Sequence, residues 1–368
     1  MNEAKTSDAR EHYPILDGLR GTAAMLVVVF HLMESIAPDE SANLMRHGYL
    51  AVDFFFALSG YVMGYAYDRR GPSLTAWHFI KARLIRLHPV VVIGGILGAI
   101  AYYVDPFPSV IHAPAIGAGI LAMIAAILLI PSWTLPDRGT DYFPYNGVFW
   151  TLFFEYIANL AYYFILRHMS KKWLAVLATI AAGILVWRAT AFDTIHLGYD
   201  WRTLQMAPVR LAYPFIIGLL LQRTIKVAPF KLGWLSLSLV LLAAFAAPWF
   251  VDMAGLKMNG LYDAAIVILV FPLILAAGAH AIPHGWWSNL CTQLGRVSYP
   301  LYGTHYALVY VYADWIAKTK PSQLAILVVG IATWIGAQII AWTVVFLWDE
   351  PIRNYLGRKF LMCGRRTD

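Results

Sequence analysis

Runs of about 20 apolar residues recur along the whole sequence, and this feature restricts the possible folds more than any other. An α-helix needs about 20 such residues to cross a bilayer core of roughly 30 Å. Hydrophobic residues make up 60% of the chain and charged residues only 13%, whereas soluble domains carry roughly 25% charged residues. The sequence therefore predicts an all-α fold, namely a polytopic integral membrane helix bundle.

Eleven segments are candidate transmembrane helices: 15–33, 49–67, 88–104, 115–131, 147–166, 173–190, 206–222, 232–250, 261–282, 299–316 and 322–347. Basic residues group in several of the loops between them, and the positive-inside rule places such loops in the cytoplasm. These assignments agree along the chain except between Leu87 and Pro131, where one of two candidates cannot cross. We predict about ten crossings, with eleven as the alternative, and expect the glycine-containing segment 89–104 to be re-entrant or interfacial.

The polar parts of the chain are short. The longest connections between candidate helices have only about 15 residues, well below the size of a soluble domain. We therefore predict a cytoplasmic segment at 1–14, one transmembrane domain at 15–350 and a cytoplasmic tail at 351–368. The polar N-terminus has no signal-peptide cleavage pattern. Cys291 and Cys363 both fall in segments predicted to be cytoplasmic, so no disulfide is expected.

The net charge of +7 comes largely from Lys and Arg in short polar segments beside apolar spans. Such clusters are typical of cytoplasmic loops, where they also meet anionic lipid headgroups. The charge therefore indicates orientation in the membrane, and nucleic-acid binding is a poor explanation of it. We predict a multi-pass protein of a cell inner membrane with both termini in the cytoplasm.

The first candidate helix is the richest in ionisable residues, which are costly inside a membrane and often functional. Ten residues separate Arg20 from His31, which places them roughly 20° apart on one helix face and about 16 Å apart along the axis. An acyl-CoA donor could use both, the arginine for its phosphates and the imidazole for the thioester or the acceptor hydroxyl. The alternative is that Arg20 is a cytoplasmic anchor and His31 a hydrogen-bonded core residue.

Two further basic residues and one acid are candidates in the next segments. Arg83 and Arg86 lie three residues apart and share a helical face near the cytoplasm. They would bind either a phosphate-rich ligand or lipid headgroups. Asp53 is an acid in an otherwise aromatic run, which makes a functional role more plausible than a packing role.

The remaining candidates lie in later spans. An unpaired carboxylate inside a membrane is expensive. Glu155 would therefore be neutral, paired with a cation such as Arg188 or Arg210, or exposed to a water-filled acceptor cavity that grips sugar hydroxyls. Most membrane tyrosines belong to aromatic belts, so only Tyr302 and the nearby His305 are kept from the tyrosine-rich segment that follows residue 298.

Six short motifs follow one another along the chain: Leu16–Gly21 with His31, Val52–Tyr61, Arg83–Pro89, Trp150–Glu155, Ser298–His305 and Trp348–Pro351. In this order and spacing they resemble the signature of membrane acyltransferase family 3, whose members modify bacterial surface polysaccharides and lipid-linked sugars. The fourth motif has Thr151 where the family has serine, and the last has its proline one place nearer the glutamate. The resemblance covers nearly the whole chain.

The resemblance implies that residues 15–350 form a membrane acyltransferase domain. It would move an acyl group, with acetyl expected, from acyl-CoA to a hydroxyl of a saccharide or glycolipid acceptor. It implies acetyl-CoA or another acyl-CoA as co-substrate, membrane lipids as surroundings, no bound cofactor and no metal. The implied roles are catalysis by His31 and Glu155, donor binding by Arg20, Arg83 and Arg86, and acceptor binding by Asp53, Tyr302 and His305. His31 would act as a general base or be acylated itself.

The rival interpretation is a secondary transporter for an anionic or sugar-like solute, because buried Arg, His and Glu residues also mark substrate and proton pathways. The sequence has no inverted repeat, which disfavours it. Walker loops, zinc-spaced ligand pairs, nucleophile elbows and dinucleotide fingerprints are also absent from the sequence. His280 and His284 are four apart, but Pro283 between them favours a surface loop over a metal site.

Overall fold

The computed structural model describes residues 13–361 apart from 38, 109–115, 133–134, 136–138, 140, 228–229, 231, 282 and 284. The predictions for 1–12, for 362–368 with Cys363, and for His284 lie outside the described residues.

Within the described residues, the chain forms fourteen α-helices, and β-structure is limited to two isolated bridges. The helices are α1 (Pro14–Glu34), α2 (Ala51–Tyr67), α3 (Ala76–Val104), α4 (Ile116–Leu128), α5 (Phe149–Phe164), α6 (Lys171–Phe192), α7 (Met206–Thr224), α8 (Trp234–Phe245), α9 (Met258–Ala265), α10 (Phe271–His280), α11 (Trp286–Thr304), α12 (Tyr306–Thr319), α13 (Gln323–Val344) and α14 (Glu350–Phe360). A π-helical segment joins α9 to α10 (Ile266–Val270) and another joins α13 to α14 (Val345–Asp349).

Seven helical segments of the described chain are long and apolar enough to cross a membrane. They are Pro14–Glu34, Gly48–Tyr67, Ala76–Val104, Phe149–His168, Lys171–Phe192, Met258–His280 and Gln323–Phe360. Two shorter apolar helices, Gly117–Leu128 and Trp234–Phe245, accompany them. The predicted polytopic membrane helix bundle is confirmed, and the number of crossings stays a prediction.

The segment 89–104 is not the separate re-entrant element that the sequence predicted. It is the second half of α3, a continuous helix of 29 residues that begins at Ala76. Its glycines allow close helix packing instead of breaking the helix. A Cβ atom at Gly94 would overlap the carbonyl oxygen of Gly303, and one at Gly98 would overlap the carbonyl oxygen of Tyr145. Small residues of this kind let membrane helices approach each other closely.

The predicted span 299–316 is also divided differently in the structure. The helix α11 starts at Trp286 and ends at Thr304, and α12 starts at Tyr306. Hydropathy misses the first half of α11 because that half is polar. Its Arg296 forms a salt bridge with Glu350 of α14 at 2.9 Å, so its charge is neutralised within the protein.

Two pairs of closely packed helices position the polar residues at the centre of the helix bundle. The helix α1 packs along α11, where Gly21 lies against Leu294, and α2 packs along α7, where Gly60 lies against the backbone of Phe215. Most residues of α1 and α2 are buried within the bundle, so polar side chains of these helices can contact other helices.

Candidate active site

Polar side chains from five helices surround a cavity of about 150 Å³ at the centre of the bundle. We name it the arginine cavity. The helices α1, α2, α3, α5 and α11 each contribute such a residue, namely Arg20, Ser59, Arg83, Glu155 and Ser298. A wider vestibule of about 440 Å³ adjoins this cavity and also contacts the first of these arginines.

Arg20 is held by three bonds at the edge of this cavity. Its Nε donates to Ser298 Oγ at 2.9 Å, and its Nη2 donates to Asp17 Oδ1 at 2.7 Å and to the carbonyl oxygen of Gly295 at 3.1 Å. The side chain remains 25% exposed. A guanidinium has five N–H donors, so Arg20 keeps donor capacity for a ligand.

Glu155 lies in the arginine cavity and is paired, but its partner is neither of the cations that the sequence suggested. Its Oε1 accepts from Nη2 of Arg83 at 3.2 Å and from Oγ of Ser59 at 2.5 Å. The structure therefore brings Glu155 together with the arginines, and Arg188 and Arg210 are not its partners.

Arg86 differs from the other arginines of this region. In the vestibule, Arg296 pairs with Glu350 at 2.9 Å and Arg353 pairs with Asp349 at 2.8 Å. Among the described residues, no carboxylate is within salt-bridge distance of Arg86, although it lines both the arginine cavity and the vestibule. An anion is the ligand that this cation, which has no salt bridge among the described residues, would favour.

A second cavity of about 130 Å³ lies at the other end of α1, and we name it the histidine cavity. Its lining consists of aromatic rings, two histidines, two carboxylates, one arginine and a few small residues: Val27, Phe30, His31, Glu34, Tyr49, Val52, Asp141, Gly147, Val148, Trp150, His196, Tyr199, Arg210, Tyr302 and Tyr306.

His31 is oriented by the carboxylate one turn further along its own helix. Its Nδ1 lies 2.9 Å from Oε2 of Glu34, and because a carboxylate only accepts, Nδ1 carries the proton. In the neutral ring, Nε2 is then the basic nitrogen. The other carboxylate oxygen, Oε1, lies 3.7 Å from Nε2 of His196. Two imidazoles therefore flank one carboxylate in the histidine cavity.

His305 packs beside His31 without entering its hydrogen-bond chain. The two rings are stacked with centroids 5.5 Å apart. Nδ1 of His305 donates to the carbonyl oxygens of Leu301 and Tyr302 at 3.0 and 2.9 Å. Within the described residues its Nε2 is buried without a hydrogen-bond partner. The predicted acceptor-binding residue is thus a close neighbour of His31 and is only 1% exposed.

Asp53 is buried behind the histidine cavity and does not line it. Its carboxylate pairs with Arg210, whose Nη2 lies 2.7 Å from Oδ2. The same Nη2 also donates to the carbonyl oxygen of Tyr49 at 2.8 Å. The structure therefore places Arg210, and not Asp53, at the cavity surface. Acceptor binding by Asp53 stays a prediction, and its direct structural effect is to hold Arg210.

A buried network supports the wall beside His196. Nδ1 of His47 lies 2.8 Å from one carboxylate oxygen of Asp263, and the hydroxyl of Tyr49 donates to the other at 2.8 Å. The Tyr49 ring stacks on the His196 ring with centroids 4.7 Å apart. Since the backbone N–H of Ile195 also donates to Asp263 at 3.1 Å, this network ties the loop between α6 and α7 to α9 and to the turn before α2.

Sequence reasoning missed several residues of the site. Glu34 was not among the predicted site residues, although a carboxylate three residues from a histidine on a helix can orient it. His196 gave no local signal because it reaches the cavity from a loop, and Arg210 of α7 was considered only as a partner of Glu155. The predicted residues divide between the cavities: Arg20, Arg83, Arg86 and Glu155 line one and His31 lines the other, while Tyr302 lines both.

Within the described part of the chain, no group of three or more His, Cys, Asp or Glu residues could hold a metal ion. His280 bonds through Nδ1 to the carbonyl oxygen of Ala276 at 3.2 Å.

Comparison with known proteins gives a family match over most of the chain. A family model described as an acyltransferase domain matches residues 13–342. The chain is 32% identical over 188 residues to "Protein 2 in picA locus" of Rhizobium radiobacter, which covers 48% of the chain and 94% of that protein. It is 24% identical to "Acyltransferase MdmB" of Streptomyces mycarofaciens, covering 94% and 93%.

The chain is also 23% identical to "Peptidoglycan O-acetyltransferase OatA" of Listeria monocytogenes, covering 91% of the chain. It spans only 55% of that longer protein. No solved structure matches the chain.

Proposed function

The chain belongs to the acyltransferase family whose domain matches residues 13–342, and on that premise we propose that this membrane acyltransferase moves an acetyl group from acetyl-CoA to a saccharide hydroxyl. The observation that carries the proposal is the placement of Arg20 and His31 on one helix, each at a different cavity. A polyanionic donor requires a cationic site such as the one that contains Arg20. A hydroxyl acceptor requires a nearby base such as His31.

The donor would occupy the vestibule and the arginine cavity. Acyl-CoA is rich in phosphate, and guanidinium groups bind phosphate oxygens through paired N–H donors. Arg86 is the primary anion ligand in this proposal, because it forms no salt bridge with a carboxylate of the described chain. Arg20 and Arg83 would complete the phosphate contacts.

Glu155 contributes through Arg83. Its carboxylate bonds to the guanidinium of Arg83 and to the hydroxyl of Ser59, and it lies in the arginine cavity, away from the cavity that contains His31. We therefore assign it the positioning of Arg83 instead of direct proton transfer, which refines the catalytic role implied by the resemblance.

The acceptor hydroxyl would occupy the histidine cavity. Nε2 of His31 is the basic nitrogen of the neutral ring, because Glu34 holds the Nδ1 proton. It either removes the hydroxyl proton as the oxygen attacks the thioester, or attacks the thioester itself and passes the acyl group on. In both routes Glu34 stabilises the positive charge that the imidazole acquires.

The class of acceptor is supported by the lining of the cavity and by a relative. Tyr49, Trp150, Tyr199 and Tyr306 give the histidine cavity aromatic surfaces beside carboxylates, which suits the apolar faces and hydroxyls of a sugar. The Listeria relative is named as a peptidoglycan O-acetyltransferase. We propose a saccharide, free or lipid-linked, as the acceptor, with the chain in the cytoplasmic membrane and both termini in the cytoplasm.

Purified protein in lipid nanodiscs tests the proposal. With acetyl-CoA and peptidoglycan fragments or neutral oligosaccharides, it should release free CoA thiol and form acetylated saccharide, measured with a thiol reagent and by mass spectrometry. His31→Ala protein prepared in the same way is the control. Absence of thiol release with every acceptor, or solute uptake into proteoliposomes without thiol release, would contradict the proposal and favour a transporter.

A further inference from the structure

Tyr302 lies where the two cavities meet. Among the described lining residues, only Val52 and Tyr302 line both the arginine cavity and the histidine cavity, and Tyr302 alone of this pair has a polar group. A thioester that reaches from the arginines toward His31 must pass these two side chains. At this point the carbonyl oxygen of the thioester would meet the hydroxyl of Tyr302.

The ring and the hydroxyl of Tyr302 are both held in place. The ring packs edge-on against Phe55 with centroids 5.2 Å apart, and the side chain is only 5% exposed. The hydroxyl lies 2.8 Å from Oγ1 of Thr151. Since Oγ1 donates to the carbonyl oxygen of Val148 at 2.8 Å, it accepts the phenolic proton in this state.

This arrangement allows the phenolic proton to turn toward a substrate at little cost. Thr151 can rotate its own proton from Val148 to the oxygen of Tyr302, which frees the phenol to donate elsewhere. The carbonyl of Val148 keeps a partner, because the backbone N–H of Thr151 also donates to it at 3.1 Å. No buried acceptor is left without a hydrogen bond, and such losses are what usually make rearrangements expensive.

We propose that Tyr302 is a catalytic residue whose phenolic hydroxyl donates a hydrogen bond to the thioester carbonyl oxygen as negative charge develops on it, and that Thr151 is its positioning residue. The inference rests on the proposed function. Preorganised donors aimed at a developing oxyanion are among the largest contributions to acyl transfer.

The donor, the acceptor and His31 account for every bond and proton of the proposed acyl transfer. The acceptor oxygen forms a bond to the carbonyl carbon, and its proton moves to Nε2 of His31. The C–S bond then breaks, and the CoA thiolate leaves with that proton from the imidazolium. Tyr302 keeps its own proton throughout. If His31 is acylated first, the same hydrogen bond stabilises the oxyanion in both half-reactions.

The inference also explains two motifs that the family resemblance left without a common purpose. The motif Trp150–Glu155 supplies Thr151, and the motif Ser298–His305 supplies Tyr302. Serine at position 151, as in the family pattern, would keep the hydroxyl that orients the phenol. A residue without a hydroxyl at position 151 would remove the hydrogen bond that orients the phenol of Tyr302.

The test compares Tyr302→Phe with a matched control in nanodiscs, using CoA release as the readout. Tyr302→Phe removes one oxygen and keeps the ring against Phe55. We expect kcat to fall by about 10²–10³-fold, as for removal of one oxyanion donor, with the donor KM changed by less than about threefold. In Tyr312→Phe, the lost hydroxyl bonds to the carbonyl oxygen of Ile326 outside both cavities, and kcat should be unchanged.

Two substitutions at Thr151 keep the test decisive if Tyr302→Phe folds poorly. Thr151→Ser retains the orienting hydroxyl and should keep kcat near that of the wild type. Thr151→Val is nearly isosteric and should lower kcat by about 10-fold, the effect of one neutral hydrogen bond. Equal kcat for Thr151→Ser and Thr151→Val, or a folded Tyr302→Phe protein with wild-type kcat, would overturn the inference. Wild-type protein that releases no CoA would instead refute the proposed function.

Discussion

The two cavities that α1 connects differ in how far along the chain their polar partners lie. In the histidine cavity, His31 is oriented by Glu34, three residues away on the same helix. In the arginine cavity, Arg83 bonds to Glu155, 72 residues away, and Arg20 bonds to Ser298, 278 residues away. The base is therefore oriented within one helical turn, whereas the cationic site, apart from the local pair of Arg20 with Asp17, exists only when the bundle has assembled.

This difference implies a division of function. Substitutions in the histidine cavity should lower kcat, because they act on the group that handles the proton. Substitutions in the arginine cavity should raise the KM for the donor, because they act on phosphate binding. The ratio of the change in kcat to the change in donor KM therefore tests this division for each substitution.

His31→Ala should lower kcat by about 10²–10⁴-fold, the range for loss of a general base, while membrane insertion and abundance stay near normal because the side chain faces a cavity. CoA release and protein yield measure the two effects. His280→Ala is the control, since His280 lies at the end of α10 outside both cavities. A folded His31→Ala protein with substantial transfer would remove the central role of the histidine cavity.

Glu34→Gln should lower kcat by about 10²–10³-fold with little change in the donor KM, because an amide neither holds the Nδ1 proton as firmly nor stabilises the imidazolium. Asp39→Asn removes an exposed carboxylate from the following loop and should have no effect. Steady-state kinetics distinguish the two. A rise in donor KM with kcat preserved would contradict the assignment of Glu34 to the base.

Arg86→Gln should raise the KM for acetyl-CoA by about 10–100-fold, the effect of losing hydrogen bonds to a charged group, with kcat nearly preserved. Arg358→Gln, which removes an exposed cation from α14, serves as the control. Donor titrations of both variants provide the comparison. A loss confined to kcat would show that Arg86 acts in the chemical step, and the division between the cavities would then be wrong.

Arg20→Lys should raise the donor KM by about 10-fold, the lower end of the effect of losing a hydrogen bond to a charged group. The ammonium keeps the charge but cannot reproduce the planar fork that contacts Ser298 and Asp17 while it grips phosphate. The variant should be compared with the wild type over a range of donor concentrations. An unchanged donor KM would indicate that Arg20 serves membrane orientation only.

Sidedness can be tested without altering catalysis. In protein with Cys363 replaced by serine and the buried Cys291 retained, a cysteine at Ser73 should react only with permeant reagents. A cysteine at Val251, which is 83% exposed, should react with impermeant reagents added outside intact cells. The positive-inside assignments predict this pattern. If Val251→Cys is labelled only from the cytoplasm, the cavities do not open on opposite sides.

Much of this protein follows from its sequence alone. Membrane insertion is decided by the length and apolarity of its segments, and the bundle follows from that. The alignment of Arg20 with His31 is equally predictable, because a helix has a fixed rotation and rise per residue. The same local geometry brings Glu34 to His31.

Other features depend on contacts between segments that are distant in the sequence, and local helix geometry cannot predict them. From the sequence, the glycine-containing segment 89–104 was predicted to be re-entrant or interfacial. In the structure its glycines lie at contacts between helices. Glu155 pairs with Arg83, Arg210 pairs with Asp53, and His196 reaches the site from a loop. Each of these outcomes is a pairing between distant segments, and the energy of such a pairing depends on distances and burial that exist only after the helices have packed.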